Sequence, residues 1–218
     1  MNHFDYLADM VNLQGAKVLD IGAGDGEFAR QLAGPASNVV AVEIDEEKVR
    51  KGNATTSCSV EFCLGRAECL PVDSETYDLV CFMFSFHHVP FALQTKALEE
   101  SARVLKSGGR LHIVDPLPRG GMTEIVKPLE DETLVRTRSQ SLLQNLSMPQ
   151  LRLIEHNTYI LKRTFDGFEH VVKRVTSSNP ARLAKLAAAR KSMRRAFEEH
   201  ARQVGTGYEI EQPCVVFH

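Results

Sequence analysis

The sequence predicts an α/β fold: a doubly wound, mostly parallel sheet of seven strands with helices on both faces and a helical cap inserted after the fifth strand. Three observations predict it. Over residues 1–118, short apolar runs alternate with stretches of helical periodicity, the runs are apolar throughout rather than at every second residue, and the connections are short. Strands apolar on both sides are covered on both faces, and strands separated by helices belong to a parallel sheet. The right-handed rule for crossovers then leaves a doubly wound sandwich.

The strands in order are Lys17 to Ile21, Asn38 to Ile44, Val60 to Leu64, Tyr77 to Phe84 and Arg110 to Asp115, with helices beginning near Glu27, Glu46 and Leu93. Ser107-Gly108-Gly109 reads as a helix stop before the fifth strand, and Asp115-Pro116-Leu117-Pro118 with Gly120-Gly121 as a break after it. From there the pattern loosens. Residues 129–145 and 147–155 look helical and polar, Asn157 to Arg163 reads as a strand, and Gly167 to Val175 as a short helix. Pro180 opens a long helix reaching Val204, with proline in the first turn where its missing N–H costs nothing, and Leu183, Leu186, Met193, Phe197 and Val204 on one side. Residues 211–217, ending in Pro213-Cys214-Val215-Val216-Phe217, read as the final strand. One domain over 1–218 is expected, with a ligand-binding core at 15–118 and a cap or substrate region at 119–205.

A chain of 218 residues can bury one substantial core. Its 43% hydrophobic and 25% charged content is that of an ordinary globule, and a net charge of −2 argues against strong overall attraction to nucleic acid. Charge is unevenly placed: residues 1–118 carry −7 and residues 119–218 carry +5. Such asymmetry suits an anionic ligand on the basic part, although solvated helix faces produce it as readily. Five cysteines (Cys58, Cys63, Cys69, Cys81, Cys214) without a CxxC pair read as reduced thiols, and the spacing of the first three matches no zinc pattern. The N-terminal stretch lacks a leader, and no segment approaches the roughly 20 apolar residues of a membrane span. A cytoplasmic protein with no metal, no membrane span and no nucleic-acid partner is expected.

Val18-Leu19-Asp20-Ile21-Gly22-Ala23-Gly24-Asp25-Gly26 places three alternate glycines on a strand-to-helix turn. Glycine supplies positive φ and lets a ligand approach the main chain, while the N–H groups of the turn favour an anionic group. A dinucleotide fingerprint wants the third glycine one residue later, and Asp20 sits where a pyrophosphate would meet negative charge. A ligand with a cation there is welcomed instead. Glu43, ending the second strand 17 residues after Gly26, falls across the crevice, where two carboxylate oxygens suit both hydroxyls of a ribose. An adenosine bearing a positive charge meets these demands together, and S-adenosylmethionine is such a molecule.

VLDIGAGDG, VVAVEID, GRAECLPVDSETYDLV, SFHHV and RVLKSGGRLHIVDP resemble, in order and spacing, the Rossmann-like class I S-adenosylmethionine-dependent methyltransferases, most of all the ubiquinone/menaquinone-biosynthesis type and its small-molecule relatives. The resemblance covers roughly residues 15–118. It implies that Asp20, Gly22 and Gly24 border the methionine part of the cofactor, that Glu43 holds the ribose with Ile44 against adenine, that Ala67 and Glu68 lie beside the adenine edge, and that Ser85 is near the sulfonium. Many relatives have Asp where this chain has Arg66, leaving Glu68 or backbone carbonyls to read the adenine amino group.

Methyl transfer from a sulfonium is an in-line displacement, so the protein chiefly aligns nucleophile, methyl and leaving sulfur. A base is needed only where the accepting atom must lose a proton. His87 and His88, just past the fourth strand, are the candidates. No Asn/Asp-Pro-Pro-aromatic motif follows that strand, which disfavours methylation of a nucleic-acid base amine. Phe82, Phe84, Phe86 and Phe91 read either as a pocket wall or as strand packing. Arg119, Lys127, Arg136, Arg138, Arg152 and Arg174 are candidates to meet an anionic acceptor, and Asn2 to Tyr6 to form a lid. The expected activity is methylation at O or C of a small molecule, aromatic, lipid-like or anionic. The competing readings are a nicotinamide-dependent oxidoreductase and a non-catalytic S-adenosylmethionine-binding module.

Overall fold

Five apolar runs form the strands β1 (Lys17–Ile21), β2 (Asn38–Glu43), β3 (Val60–Leu64), β4 (Tyr77–Met83) and β5 (Leu105–Pro116), hydrogen-bonded in the order β3-β2-β1-β4-β5 and all parallel. The computed structural model describes residues 3–36, 38–55 and 60–218, so Asn2 of the expected lid and Cys58 lie outside the described residues. Around these strands are α1 (His3–Met10), α2 (Glu27–Leu32), α3 (Glu46–Thr55) and α4 (Phe91–Val104). The remainder comprises α5 (Gly121–Val126), α6 (Thr133–Gln144), β6 (His156–Phe165), α7 (Phe168–Ser178), α8 (Leu183–His200), β7 (Ala201–Val204) and β8 (Gly207–Phe217).

The chain forms two compact units. The larger holds residues 3–115, 138–157 and 216–218, and the smaller holds 116–137 and 158–215. In the larger unit, the parallel register sets Asp20 beside Ala41 on one side and Cys81 on the other, and Cys81 beside His112. Register partners share a face, so Ala41, Asp20, Cys81 and His112 form one row across four strands. Leu7 of α1, Phe28 and Leu32 of α2, and Val18, Val39, Phe62 and Leu79 of the strands pack on that face. Leu19, Val40, Val42, Val80 and Phe82 alternate with them and are equally buried, as a sheet covered on both sides requires. α3 comes so close to β3 that a Cβ on Gly52 would lie 2.6 Å from the Phe62 ring.

The smaller unit has its own core, in which Ile125 and Val126 of α5, Phe165 of β6, Phe168, Val171, Val172 and Val175 of α7, Met193 and Phe197 of α8, and Ile210 of β8 pack together. Here β8 is hydrogen-bonded to β6 and, antiparallel, to β7.

Several expectations are corrected. Ser107-Gly108-Gly109 does not end a helix: α4 stops at Val104, β5 starts at Leu105, and the two glycines absorb extra residues where the β4–β5 register shifts, with Gly108 at φ +77°. Residues 147–155 are not helical. Pro149 removes a donor and disfavours helical geometry before it, and Met148 and Leu151 form an isolated bridge instead. The long helix ends at His200. Gly205, at φ +59°, makes a two-residue turn with Thr206, so Ala201–Val204 folds back on β8 as an eighth strand where seven were expected. Leu183 and Val204, assigned to the apolar side of that helix, are 58% and 44% exposed.

Candidate functional site

The carboxyl ends of β1, β2 and β4 build the site. Gly22, Gly24 and Gly26 all have positive φ, at +73°, +58° and +75°. Their surroundings differ. A Cβ on Gly22 would lie 2.5 Å from Ser85 Cβ, and one on Gly26 would lie 2.3 Å from the Phe62 ring, whereas at Gly24 nothing lies within 4 Å. The outer glycines are thus required by packing as well as by φ, and the middle one faces open space into which a ligand can come against bare backbone.

Glu43 is buried and holds this turn. Its Oε2 accepts the Gly24 N–H at 2.7 Å, and its Oε1 accepts the Ile44 and Asp45 N–H groups at 2.9 and 3.0 Å. Three of roughly four lone-pair positions are therefore taken by backbone. Asp20 has the opposite character. It is 1% exposed, and neither carboxylate oxygen has a hydrogen-bond partner. Burial, with the nearby Glu43 carboxyl, pushes its pKa up to about 7. A buried acid left without donors is costly unless a charge or donor arrives from outside the fold.

Ser85 lies next to Gly22 and donates to the Ile21 carbonyl at 2.5 Å, tying the ends of β4 and β1 together. Before it stands Phe84 at φ +59°, a left-handed conformation that costs a non-glycine residue about 1–2 kcal/mol and recurs at functional turns. Nothing in the sequence signals it. Ile44 is 58% exposed, an aliphatic side chain presented to solvent beside Glu43. Ala67 is buried and Glu68 half-buried, with Arg66 Nη1 3.9 Å from Glu68 Oε1. Asp20, Gly22, Gly24, Glu43 and Ser85 are thus linked by contact, register or charge.

The two histidines differ. His87 is buried, its Nδ1 lies 2.6 Å from Asp115 Oδ1, and its backbone N–H donates to Asp115 Oδ2 at 3.2 Å. A carboxylate accepts only, so this contact sets the proton on Nδ1 and leaves Nε2 with the lone pair. His88 is exposed, its ring 4.1 Å from that of His87. Asp115, which sequence reading does not single out, is the partner that holds His87. Its signal was present: it ends a parallel strand, as do Asp20 and Glu43.

Phe82 and Phe86 are fully buried and meet edge to face at 5.3 Å, so they pack the core rather than line a pocket. Phe84 takes the edge of His3 at 4.7 Å, and Phe91 is exposed beneath the Arg138 guanidinium. Phe4 and Tyr6, expected in a lid, belong to α1, where Phe4 packs on the core and the Tyr6 hydroxyl donates to Glu155. Among the candidate basic residues, Arg136 is already paired with Glu132. None of the four described cysteines is in a disulfide, and no helix of the described residues is long and apolar enough to cross a membrane.

Residues 18–109 match a family model described as a methyltransferase domain. The chain is 34% identical over 110 residues to the ubiquinone/menaquinone biosynthesis C-methyltransferase UbiE of Pasteurella multocida, covering 47% of this chain and 40% of that protein. It is 34% identical over 103 residues to the uncharacterized methyltransferase YcgJ of Bacillus subtilis, covering 45% and 40%. The chain thus spans less than half the length of these curated relatives. The crystal structure of YcgJ superposes with a TM-score of 0.64 at 18% identity, over 98% of this chain and 96% of that one, a likeness of fold.

Proposed function

We propose, from the premise that residues 18–109 are a methyltransferase domain of the class I, S-adenosylmethionine-dependent kind, that the chain transfers a methyl group to O or C of a small-molecule acceptor. The observation that carries this reading is the pairing of Asp20 with Gly24: a buried carboxylate without a hydrogen-bond donor, beside a glycine whose surroundings are open. A cationic amino-acid moiety with its carboxylate near the turn satisfies both. The relatives support the acceptor class, since several are named as C-methyltransferases of quinone biosynthesis. Cytoplasmic residence is part of the same reading, and the four described cysteines, all free thiols, suit a reducing compartment.

Asp20, Gly22 and Gly24 would receive the methionine part, Glu43 the ribose hydroxyls, Ile44 and Ala67 the adenine face, Glu68 its edge, and Ser85 the region of the sulfonium. With three backbone N–H groups on Glu43, two ribose hydroxyls require it to release one of them; the Gly24 N–H, on the open side of the turn, is the one expected to go. When bound, the cofactor supplies an electrophilic methyl group. The chain's share is alignment, worth up to roughly 7–11 kcal/mol, and removal of a proton where the acceptor carries one. His87, with Nδ1–H held by Asp115, is the candidate base through Nε2, an atom buried in this structure, and Asp115 would stabilise the imidazolium formed. His88 stands as the exposed second candidate.

The test is calorimetric titration of S-adenosylmethionine, joined to a screen of phenolic, carbon-acid and anionic acceptors for S-adenosylhomocysteine release. Glu43→Ala is expected to weaken cofactor binding by about 1–3 kcal/mol, and His87→Ala to lower turnover at unchanged cofactor affinity. Unaltered binding in Glu43→Ala overturns the ribose assignment, and turnover that survives His87→Ala but not His88→Ala moves the base to His88.

A further inference from the structure

The larger unit contains a second concavity that the methyl-transfer reading leaves unused. It has a volume of about 340 Å³ and is lined by Gly108 to Leu111 and Ile113 of β5, by residues of 143–154, and by Phe217 and His218. Leu111 and Ile113 are the register partners of Val80 and Phe82, so they face away from the row containing Asp20, Cys81 and His112. The lining reaches no further along β5 than Ile113, short of Asp115, and includes neither the glycine turn nor either histidine of the pair. Its volume falls in the range of small-molecule sites, at the low end.

The lining has two chemistries. Leu111, Ile113, Leu143, Leu146, Leu151 and Phe217 supply an apolar wall, continued to the surface by Leu153 and Ile154, which are 37% and 55% exposed. Arg110 and Arg152, both exposed, are the arginines of the lining; the Arg110 charge bears on His218, but neither guanidinium makes a hydrogen bond or ion pair among the described residues. Most other arginines of the chain do: Arg50, Arg103, Arg182, Arg190, Arg194 and Arg202 each hold a glutamate. The nearby acid in sequence, Glu155, accepts the Tyr6 hydroxyl and is not part of the lining. An apolar cavity with exposed aliphatic residues at its rim and two uncommitted guanidiniums is complementary to a molecule with a hydrocarbon body and a planar anionic head.

We propose that this cavity is a ligand site for a monomeric aliphatic carboxylate, the chain lying against the leucines and the carboxylate on Arg110 and Arg152. The site stands apart from the glycine turn, so it is independent of the methyl-transfer reading, and the failure of either leaves the other standing. The ligand is a free amphiphile rather than a membrane, because the cavity takes one short chain and the wall is concave.

The experiment titrates decanoate, below its micellar concentration, into the full chain with selectively methyl-labelled leucine and isoleucine, alongside decan-1-ol, decyltrimethylammonium and acetate. Saturable shifts are expected at Leu111, Ile113, Leu143, Leu146 and Leu151, with those of Leu19 and Ile21 unmoved. The pair Arg110→Gln and Arg152→Gln is expected to lower decanoate affinity roughly ten- to a hundred-fold and to leave decan-1-ol affinity unchanged, while decyltrimethylammonium and acetate bind at least tenfold more weakly than decanoate. Leu146→Trp, which fills the cavity, is expected to abolish the shifts while circular dichroism is retained; should that variant fail to fold, the arginine pair and the shift map decide. Equal binding of the cationic amphiphile, shifts centred elsewhere, or binding only to vesicles containing anionic phospholipid overturns the proposal.

Discussion

The two units treat their buried charges in opposite ways. In the smaller one the buried charges are paired internally, although Arg136 Nε and Thr133 Oγ1 are buried without a hydrogen-bond partner. Arg136 donates to the Thr123 hydroxyl and pairs with Glu132, Arg182 pairs with Glu130 and Glu132, and the Gln212 amide serves Thr123 on one side and the carbonyls of Leu117, Arg119 and Pro213 on the other. In the larger unit Asp20 is buried without a donor, His112 is buried with Nε2 unpartnered, and Phe84 holds a left-handed backbone. Satisfied networks fix a structure; unsatisfied groups mark where something else binds. The contrast accords with the proposed cofactor site at the ends of the parallel strands.

The largest effect expected from breaking this contrast is at Gly26. Gly26→Ala adds a Cβ 2.3 Å from the Phe62 ring at φ +75°, and a loss of about 2–5 kcal/mol is expected in denaturant unfolding. Gly24→Ala carries the backbone cost alone, about 1–2 kcal/mol, since its surroundings are open, yet it should impair cofactor binding more than its stability loss explains. Equal stability losses at the two positions would erase the distinction between a packing glycine and a ligand glycine.

Next is the pH dependence of the ligand-free protein. With Asp20 raised from 3.8 to about 7, the folded chain keeps a proton that the unfolded chain releases, so between those two values stability falls as pH rises, by roughly 1.4 kcal/mol per pH unit at the steepest. His112 acts with the other sign. Burial, with His218 and His3 nearby, lowers it to about 3, so the unfolded chain takes up the proton first and stability is lost as pH falls from 6.5. Asp20→Asn is expected to remove the fall toward pH 7 and expose the His112 limb, as measured by urea midpoints from pH 4 to 8. A profile unchanged by Asp20→Asn would mean the carboxyl is satisfied in solution. Smaller still, Gln212→Met in the other unit strands the Thr123 N–H and the Arg119 carbonyl, while the Thr123 hydroxyl and the Leu117 carbonyl keep each other and the Pro213 carbonyl keeps the Leu117 N–H, at about 1 kcal/mol, without altering cofactor affinity by calorimetry.

Where the sequence was read well, local rules and tertiary structure demanded the same thing. β1 begins and ends as expected because an apolar run bounded by polar residues has one favourable arrangement in a covered sheet, and β3 does so on alternation, with Val60 and Phe62 buried and Glu61 exposed. It was misread where two local rules competed. Ser107-Gly108-Gly109 fits a helix stop and a bulge equally, and only pairing of Leu105 with Tyr77 chooses the bulge. Ala201–Val204 has the composition to continue α8 until the positive φ of Gly205 and the partner strand β8 turn it back.

By itself the sequence determined the parallel sheet, the glycine turn and the carboxylates at the ends of β1 and β2, because those depend on periodicity, on φ and on spacing along the chain. Only the tertiary structure decided that Asp20 has no donor, that Glu43 already holds three N–H groups, that Asp115 orients His87, and that Arg110 and Arg152 are left over beside an apolar cavity. The reason is physical: whether a polar group is satisfied depends on what stands within about 3 Å of it, and residues that meet across a sheet are tens of positions apart in the chain.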